Sequence, residues 1–588
     1  MLIKKHILLQ IIATTLLGIT SASASEGEVD TLLQRIQLIS SENPQESRQL
    51  ASAMYKLAKQ TKNPDNVAKA YMAYTEIYIA NNLWKQANAY IDSAMAIAKR
   101  YKNYKQQAEL QILLGKLNYR ADNPRLGSEA INDAIKLASI SRDNDLLVRI
   151  KLIQADFIKQ KGNFTESITI KNQALNIAAM DKLKSSEADC HLSIGSSYWQ
   201  MGQFNEALEC YYKALLIEGQ INDTLGLIHT FKNLGLTYRE LGQYEKCLSV
   251  LNRGLNLSKK TNNKYETGEI LNILGSLHFR FSQFDEAIRY YNQSLSIREE
   301  LGLTRSQILT HENIARVLSQ KSQFDEALDH LNTALQLQSQ ITDPLAEAST
   351  LTEMGNLNLQ KGNIAEALRR YLMALKLRQS FGQDEDVAKS LTNIGLAYRK
   401  LGMYKSSLKY MEQAHDIINA KELNTNDAAY ILQNLGHIYQ DVKQFNKAIG
   451  TYKEALALKE KGGDESGTSK ILQNIAQVQL QMQHISKARS SLSQALKISN
   501  RLKDAREVAD IYNEMGNVER QANNPDMAIK YYKNAASQYQ ALLNPEGKAL
   551  CLRKIGEIQT ERKQFADAEQ NINQSIKTGY QAGNAHLL

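Results

Sequence analysis

Asn233-Leu234-Gly235-Leu236-Thr237-Tyr238, followed by Leu241-Gly242-Gln243-Tyr244-Glu245-Lys246-Cys247-Leu248, is the stretch whose reading decides the fold. Forty residues earlier it returns as Ser193-Ile194-Gly195, with Met201-Gly202-Gln203-Phe204-Asn205-Glu206-Ala207-Leu208. Forty later it returns as Ile273-Leu274-Gly275, with Phe281-Ser282-Gln283-Phe284-Asp285-Glu286-Ala287-Ile288. The small residue after the hydrophobic one falls at Thr75, Gly115, Ala155, Gly195, Gly235, Gly275, Ala315, Gly355, Gly395, Gly436, Ala476, Gly516 and Gly556. Every step is 40 residues except the one from Gly395 to Gly436, which is 41. A fixed period in this range marks supersecondary units that bury their apolar faces only by stacking on one another. It also overrides the division into several globular domains that 588 residues would otherwise suggest.

Each unit from about Asp65 onward reads as two helices. The first carries apolar residues four before, one before and three after the reference position, as in Phe231, Leu234 and Tyr238 or Leu391, Ile394 and Tyr398. That spacing puts them on one helix face. Gly162, Gly202, Gly242, Gly362 and Gly402 then occupy one slot, where glycine ends a helix cheaply in the left-handed region. The second helix opens on Phe204, Tyr244, Phe284, Phe324, Tyr404, Phe445 or Phe565. Small residues follow at two fixed slots, for example Ala207 and Ala214, Ala367 and Ala374, Ala488 and Ala495. Small side chains at fixed slots let helix axes approach to about 8–10 Å. The tyrosines Tyr211, Tyr291, Tyr371, Tyr452 and Tyr532 form a further column that reads as core. Upstream, residues 25–64 read as a divergent first unit, with Leu32, Leu33, Ile36 and Ile39 on one helix and Leu50, Met54 and Leu57 on another.

This pattern resembles the tetratricopeptide repeat family over roughly residues 65–579, as about thirteen units of its forty-residue type. The resemblance implies an all-α, right-handed superhelical solenoid of antiparallel helix pairs. The family's minimal unit is about 34 residues, so each unit here carries about six more, expected in longer helices and in the loops between units. Pro124 and Pro525 replace the opening aromatic, and Gly127 and Ser167 replace the first small residue. Those units are expected to pack less regularly. After Thr578 the repeats stop, and only a stub at 580–588 remains beyond Gly579. A solenoid end needs a polar cap, so this end is expected to pair with itself, with a partner, or with more chain.

The N-terminus reads as an export signal over residues 1–24: Lys4 and Lys5, an apolar run from Ile7 to Ile19, and Ala22-Ser23-Ala24 before Ser25. Cleavage leaves a periplasmic or secreted chain, and retention leaves an anchored one. The four cysteines do not form a Cys-x-x-Cys pattern, and Cys247 fills a slot that is alanine in most units. They read as small buried hydrophobes with free thiols. The formal charge of +9 comes without concentrated basic runs, which argues against nucleic acid as the partner.

The resemblance assigns the column two before the reference position to a concave groove. It holds Asn233, Asn313, Asn393, Asn434 and Asn474, with Glu353 and Glu514. An amide offers both a donor and an acceptor, which is what an extended peptide backbone loses on leaving water. The same residues could instead tie neighbouring units together. The columns one and four after the reference position are implied to face the same groove, with Trp199, Arg239, Phe279, Arg316, Arg399, His437 and Arg520. Arginine grips carboxylates with two hydrogen bonds, and the aromatics could seat an apolar side chain. Solvated charge on a helix explains the arginines equally. Gly462-Gly463-Asp464-Glu465 resembles the Gly-Gly-Asp-Glu-Phe signature of diguanylate cyclases, but Ser466 replaces the phenylalanine, and the segment reads as a linker turn.

No phosphate loop, His-Glu-x-x-His pair or Gly-x-Ser-x-Gly elbow occurs, and packing accounts for most conspicuous positions. The expectation is therefore a non-enzymatic scaffold without metal or cofactor that binds protein or peptide in its groove. The alternative is the sensory ectodomain of a bacterial signal-transduction protein whose output domain (kinase, cyclase or transcriptional regulator) lies elsewhere.

Overall fold

A computed structural model describes residues 26–581 apart from 161–162, 342, 383 and 421–424. The signal-like residues 1–24, the expected cap Gly162 and residues 582–588 lie outside the described residues. Among those described there are 28 helices and no strands. No described helix is long and apolar enough to cross a membrane. The chain forms two compact units, Met1–Asp343 and Pro344–Leu588. In the first, the divergent pair Glu26–Ile39 and Pro44–Gln60 is followed by seven more pairs, ending with Thr304–Gln320 and Phe324–Gln338. The second has six pairs, from Pro344–Lys361 and Ile364–Phe381 to Pro545–Glu561 and Phe565–Gln581. Pro44, Pro64, Pro124, Pro525 and Pro545 all stand in the first turn of a helix. There the missing N–H costs nothing and the fixed φ suits the helix.

The six extra residues per unit went into the helices and not into the loops. Thr224–Glu240, Tyr244–Lys260 and Lys264–Arg280 are each 17 residues long, and three residues join each to the next. The link between units is thus no longer than the link within one. Both links use the same turn. A residue with positive φ follows each of these helices at Gly202 (74°), Asn222 (55°), Gly242 (69°), Asn262 (51°) and Ser282 (59°). The next N–H then reaches five residues back, as Gln203 to Tyr198 and Gln243 to Tyr238, each 2.9 Å, which satisfies carbonyls left open at the helix end. The structural period is therefore twenty residues. The sequence shows forty because the two helices of a unit carry different side-chain columns. The turn slot itself is mixed, with glycine at Gly202, Gly242 and Gly362 after first helices and at Gly302 and Gly463 after second ones, and residues such as Asn222, Ser282 and Lys503 accepting the left-handed strain elsewhere. The Gly462–Glu465 segment is one more such turn: Gly463 has φ 69° and Asp464 caps the next helix.

The reference position is where the two helices of a unit touch. A Cβ on Gly355, Gly436 or Gly516 would lie 2.4, 2.4 or 2.5 Å from the ring of Tyr371, Tyr452 or Tyr532. The tyrosine column is fully core, with its members at most 2% exposed. Where the reference residue is alanine, the facing slot holds Leu331, Leu492 or Lys171 and not tyrosine. The small slots Ala207, Ala287, Ala367, Ala448, Ala488 and Ala528 are wholly buried. Successive units are tied by a second column of contacts: Glu218 to the Thr230 hydroxyl (2.9 Å), Arg298 to the Ser306 carbonyl (3.0 Å), and Arg378 to the Ser390 hydroxyl (2.7 Å).

Of the three units expected to be irregular, those of Gly127 and Ser167 differ in kind. In one, the Tyr119 ring covers Gly127, where a Cβ would lie 2.6 Å away, and stacks on Phe157 with centroids 3.9 Å apart. A large residue on the first helix thus replaces the bulk missing from the second. In the other, Lys171 enters the tyrosine column with no exposed surface. Its ammonium donates to Asp156 (2.9 Å), to the Ser193 carbonyl (3.0 Å) and to the Ser197 hydroxyl (2.9 Å). All four cysteines are buried and free. Burial pushes the Cys190 and Cys247 thiols up to about 12.

Candidate functional site: the polar columns of the second unit

The columns assigned to the groove fall partly in each compact unit. Trp199, Asn233, Arg239, Phe279, Asn313 and Arg316 belong to the first, and Asn393, Arg399, Asn434, His437, Asn474 and Arg520 to the second. In the first unit the asparagine column is interrupted by Ala73, Leu113, Ile153 and Ile273. In the second it is polar throughout: Glu353, Asn393, Asn434, Asn474, Glu514 and Lys554.

First-unit candidates are mostly engaged by their neighbours. Trp199 packs edge-on to Phe204, with centroids 6.3 Å apart, and its ring N–H is buried without a partner. Phe279 lies against Phe284 at 6.1 Å. Each aromatic therefore covers the residue that opens its own second helix. Arg239 donates to Glu240 and to the Ser276 hydroxyl (2.8 Å), and Arg316 to Asn313 (3.1 Å). Asn313 in turn donates to Asn272 (3.3 Å). Asn233 is half-buried.

In the second unit the arginines also reach into the adjoining repeat. Arg399 grips both carboxylate oxygens of Asp441. Arg520 holds Glu557 (2.7 Å) and Glu561 (2.6 Å). These guanidiniums are thus engaged by the protein's own carboxylates.

Around the Arg399–Asp441 pair opens a cavity of about 680 Å³, lined also by His437, Gln440, Lys443, Phe445, Gln477 and Gln481. The side-chain amide of Gln440 donates to Gln481 (3.2 Å). Burial, reinforced by Arg399, pushes the His437 imidazole down to about 4, so the ring is neutral at pH 7. Its Nδ1 lies 2.7 Å from the Tyr452 hydroxyl, which is also 3.3 Å from Gln440 Oε1. The same construction recurs in alternate units. Tyr371 donates to Asn356 (2.7 Å) and Tyr532 to Asn517 (2.8 Å). These three core tyrosines thus orient the residue one after the reference glycine. That link escaped the sequence reading, although it was visible there: Asn356, His437 and Asn517 occur in units with the tyrosine, while Arg316 and Gln477 accompany Leu331 and Leu492.

The asparagine column keeps unused hydrogen-bonding capacity. Asn434 donates to the Tyr430 carbonyl of its own helix (2.9 Å). Asn474 Nδ2 and Glu514 Oε2, in adjoining repeats, are both buried without a partner. Asn513 and Asn517 instead receive the ammonium of Lys554, at 2.9 and 2.8 Å. Burial first, and then Asp510, push the Glu514 carboxyl up to about 7, against the pull of Lys554.

A carboxyl raised above its ordinary 4.5 holds its proton more tightly folded than unfolded. The stability it contributes is present below about pH 4.5 and is lost as pH rises towards about 7. Glu514→Gln is therefore expected to be more stable than the parent at pH 8, on the order of 1–3 kcal/mol. The gap should close by pH 5, as read by urea unfolding across that range. An unchanged gap would mean that Glu514 is not the titrating group. No group of three or more His, Cys, Asp or Glu side chains among the described residues could hold a metal ion.

The tetratricopeptide repeat family is the match found for this sequence. One model of it fits residues 225–300, 305–380, 346–420, 386–461, 427–501 and 507–578, and a second fits 188–220. No curated protein matches the chain. Solved structures similar to part of it include BtubC (BKLC) from P. vanneervenii, at 19% identity, with 38% of this chain and 93% of that one covered and a TM-score of 0.34. The apo form of RapI aligns at 14% identity over 47% of this chain and 99% of its own, with a TM-score of 0.38. TPR-like repeats described as those of a Podospora anserina kinesin light chain align at 17% identity over 34% and 97%, with a TM-score of 0.31.

Proposed function

From the premise that this chain belongs to the tetratricopeptide repeat family, whose repeats make protein-interaction scaffolds, we propose that it binds an extended protein or peptide segment along the polar columns of its second unit, without catalysing a reaction. The observation that carries this reading is the pair of unused groups on Asn474 and Glu514. A buried donor or acceptor left unpaired costs about 1–3 kcal/mol, and a peptide backbone supplies both partners. The cavity beside Arg399 and His437 would then take a side chain of that segment. Its lining of amides around Phe445 suits a polar or aromatic side chain. The remaining members, Asn393 and Asn434, extend the row by two repeats.

Replacing Asn393, Asn434 and Asn474 together by alanine is expected to lower partner recovery in a pull-down more than tenfold. Hydrogen bonds of about 1 kcal/mol each, lost together, correspond to roughly a hundredfold in affinity. The melting curve should stay near that of the parent. Unchanged recovery would remove the groove from the mechanism.

The site of action we propose is outside the cytoplasm, on the Lys4-Lys5 end, the apolar run and Ala22-Ser23-Ala24 of the sequence. The mass of the protein recovered from its native host should then correspond to a chain beginning at Ser25. A full-length chain in the cytosolic fraction would contradict it.

A further inference from the structure

The first helix pair touches chain more than 260 residues away. The Arg35 guanidinium donates to the Leu301 carbonyl at 2.9 Å and to Glu46 at 3.2 Å. The Glu42 carboxylate accepts from the Ser306 backbone N–H and from its hydroxyl, both at 2.9 Å. Leu301 ends the second helix of the seventh pair, and Ser306 stands in the first turn of the eighth. Arg35 thus meets a helix C-terminus and Glu42 a helix N-terminus, each with the charge that end favours. Within the first unit, seven steps of stacking bring the chain back onto its own beginning.

The hydrogen bonds that close this turn all use charged or polar side chains. Beside them, between Pro44, Arg48, Tyr78 and Asn81 on one side and Gln340 on the other, lies a cavity of about 420 Å³ instead of packed core. Contacts between adjoining pairs bury apolar columns, as around Leu234, Leu251 and Leu274. The contact between turns therefore has a different character: a few charge-assisted bonds, part-exposed, beside open space. Such bonds are screened by salt, whereas buried apolar contact is not.

We propose that the first helix pair is a releasable clasp that holds the first unit at one closed superhelical turn. While it is shut, the chain reaches the inner face of that turn only from its ends. When it opens, the face is also accessible from the side. The clasp separates before any helix pair unfolds, because breaking it exposes little apolar surface.

The test uses the full chain with dyes on cysteines introduced at Gln34 and Glu299, both exposed. The four native thiols are buried and stay unlabelled. High energy transfer is expected in this parent at low salt. It should at least halve in Glu42→Lys, in Arg35→Glu, and in the parent at about 1 M salt, where the screening length is roughly 3 Å, with helical circular dichroism unchanged throughout. Low transfer in the parent at low salt would show that the turn is not closed. Transfer that stays high in both variants would show that these residues do not close it.

Discussion

Replacing Gly355 by alanine is expected to cost its helix pair about 1–3 kcal/mol, the usual penalty for forcing bulk into a filled contact. The new Cβ would stand 2.4 Å from Tyr371 Cε1 and 2.6 Å from Cδ1. The ring has little room to yield. It is 2% exposed, and its hydroxyl is tied to Asn356 at 2.7 Å. The chain itself supplies the remedy: Ala315 faces Leu331, and Ala476 faces Leu492. Gly355→Ala with Tyr371→Leu should therefore lose less than the two single changes added together. Amide exchange in Pro344–Lys361 is the proper readout, because stability in a repeat array is largely local. A double variant as unstable as the sum of its parts would refute the packing account.

Asp156→Ala is expected to be the second large effect, at about 1.5–3 kcal/mol, the range for hydrogen bonds to charged groups. It strips the wholly buried Lys171 ammonium of its carboxylate and leaves only the Ser193 carbonyl and the Ser197 hydroxyl. Burial already pulls the Lys171 pKa down, and Asp156 is the main group opposing it. Lys171→Met should behave in the opposite way. An apolar chain of similar length fits a column that elsewhere holds tyrosine, leucine, isoleucine or methionine, and Asp156, about half exposed, can return to water. Replacing a buried ion pair by well-packed apolar groups is often neutral or stabilising. Thermal melts of the two variants should therefore diverge, with Asp156→Ala below the parent and Lys171→Met at or above it. Equal losses in both would show that the lysine is held by packing alone.

The legible part of this protein was whatever repeats. Gly235, Leu234 and Tyr238 state a helix face, Ala207 and Ala214 a close helix contact, and Gly202 a turn. Thirteen restatements in register leave no other fold class. The polar column from Asn393 to Asn474 could be named for the same reason, since helix geometry alone puts these positions on one face. The coupling of Asn356, His437 and Asn517 to their tyrosines was also written in the repeats, as a pairing between the column one after the reference position and the tyrosine column.

What the amino-acid order determined by itself, then, was the helix pair, its small-residue contacts and the direction in which each column points, because these follow from neighbours within one or two turns of helix. Tertiary structure alone decided which of those side chains are spent. Arg399 meets Asp441 and Arg520 meets Glu557 across the seam between repeats, where the offset of one helix against the next selects the partner. Glu514 becomes a half-buried, proton-holding group through packing around it, and Glu42 finds Ser306 only after small rotations at seven successive seams have added up to a full turn. No local pattern encodes that sum, since each rotation depends on how whole faces of side chains fit together.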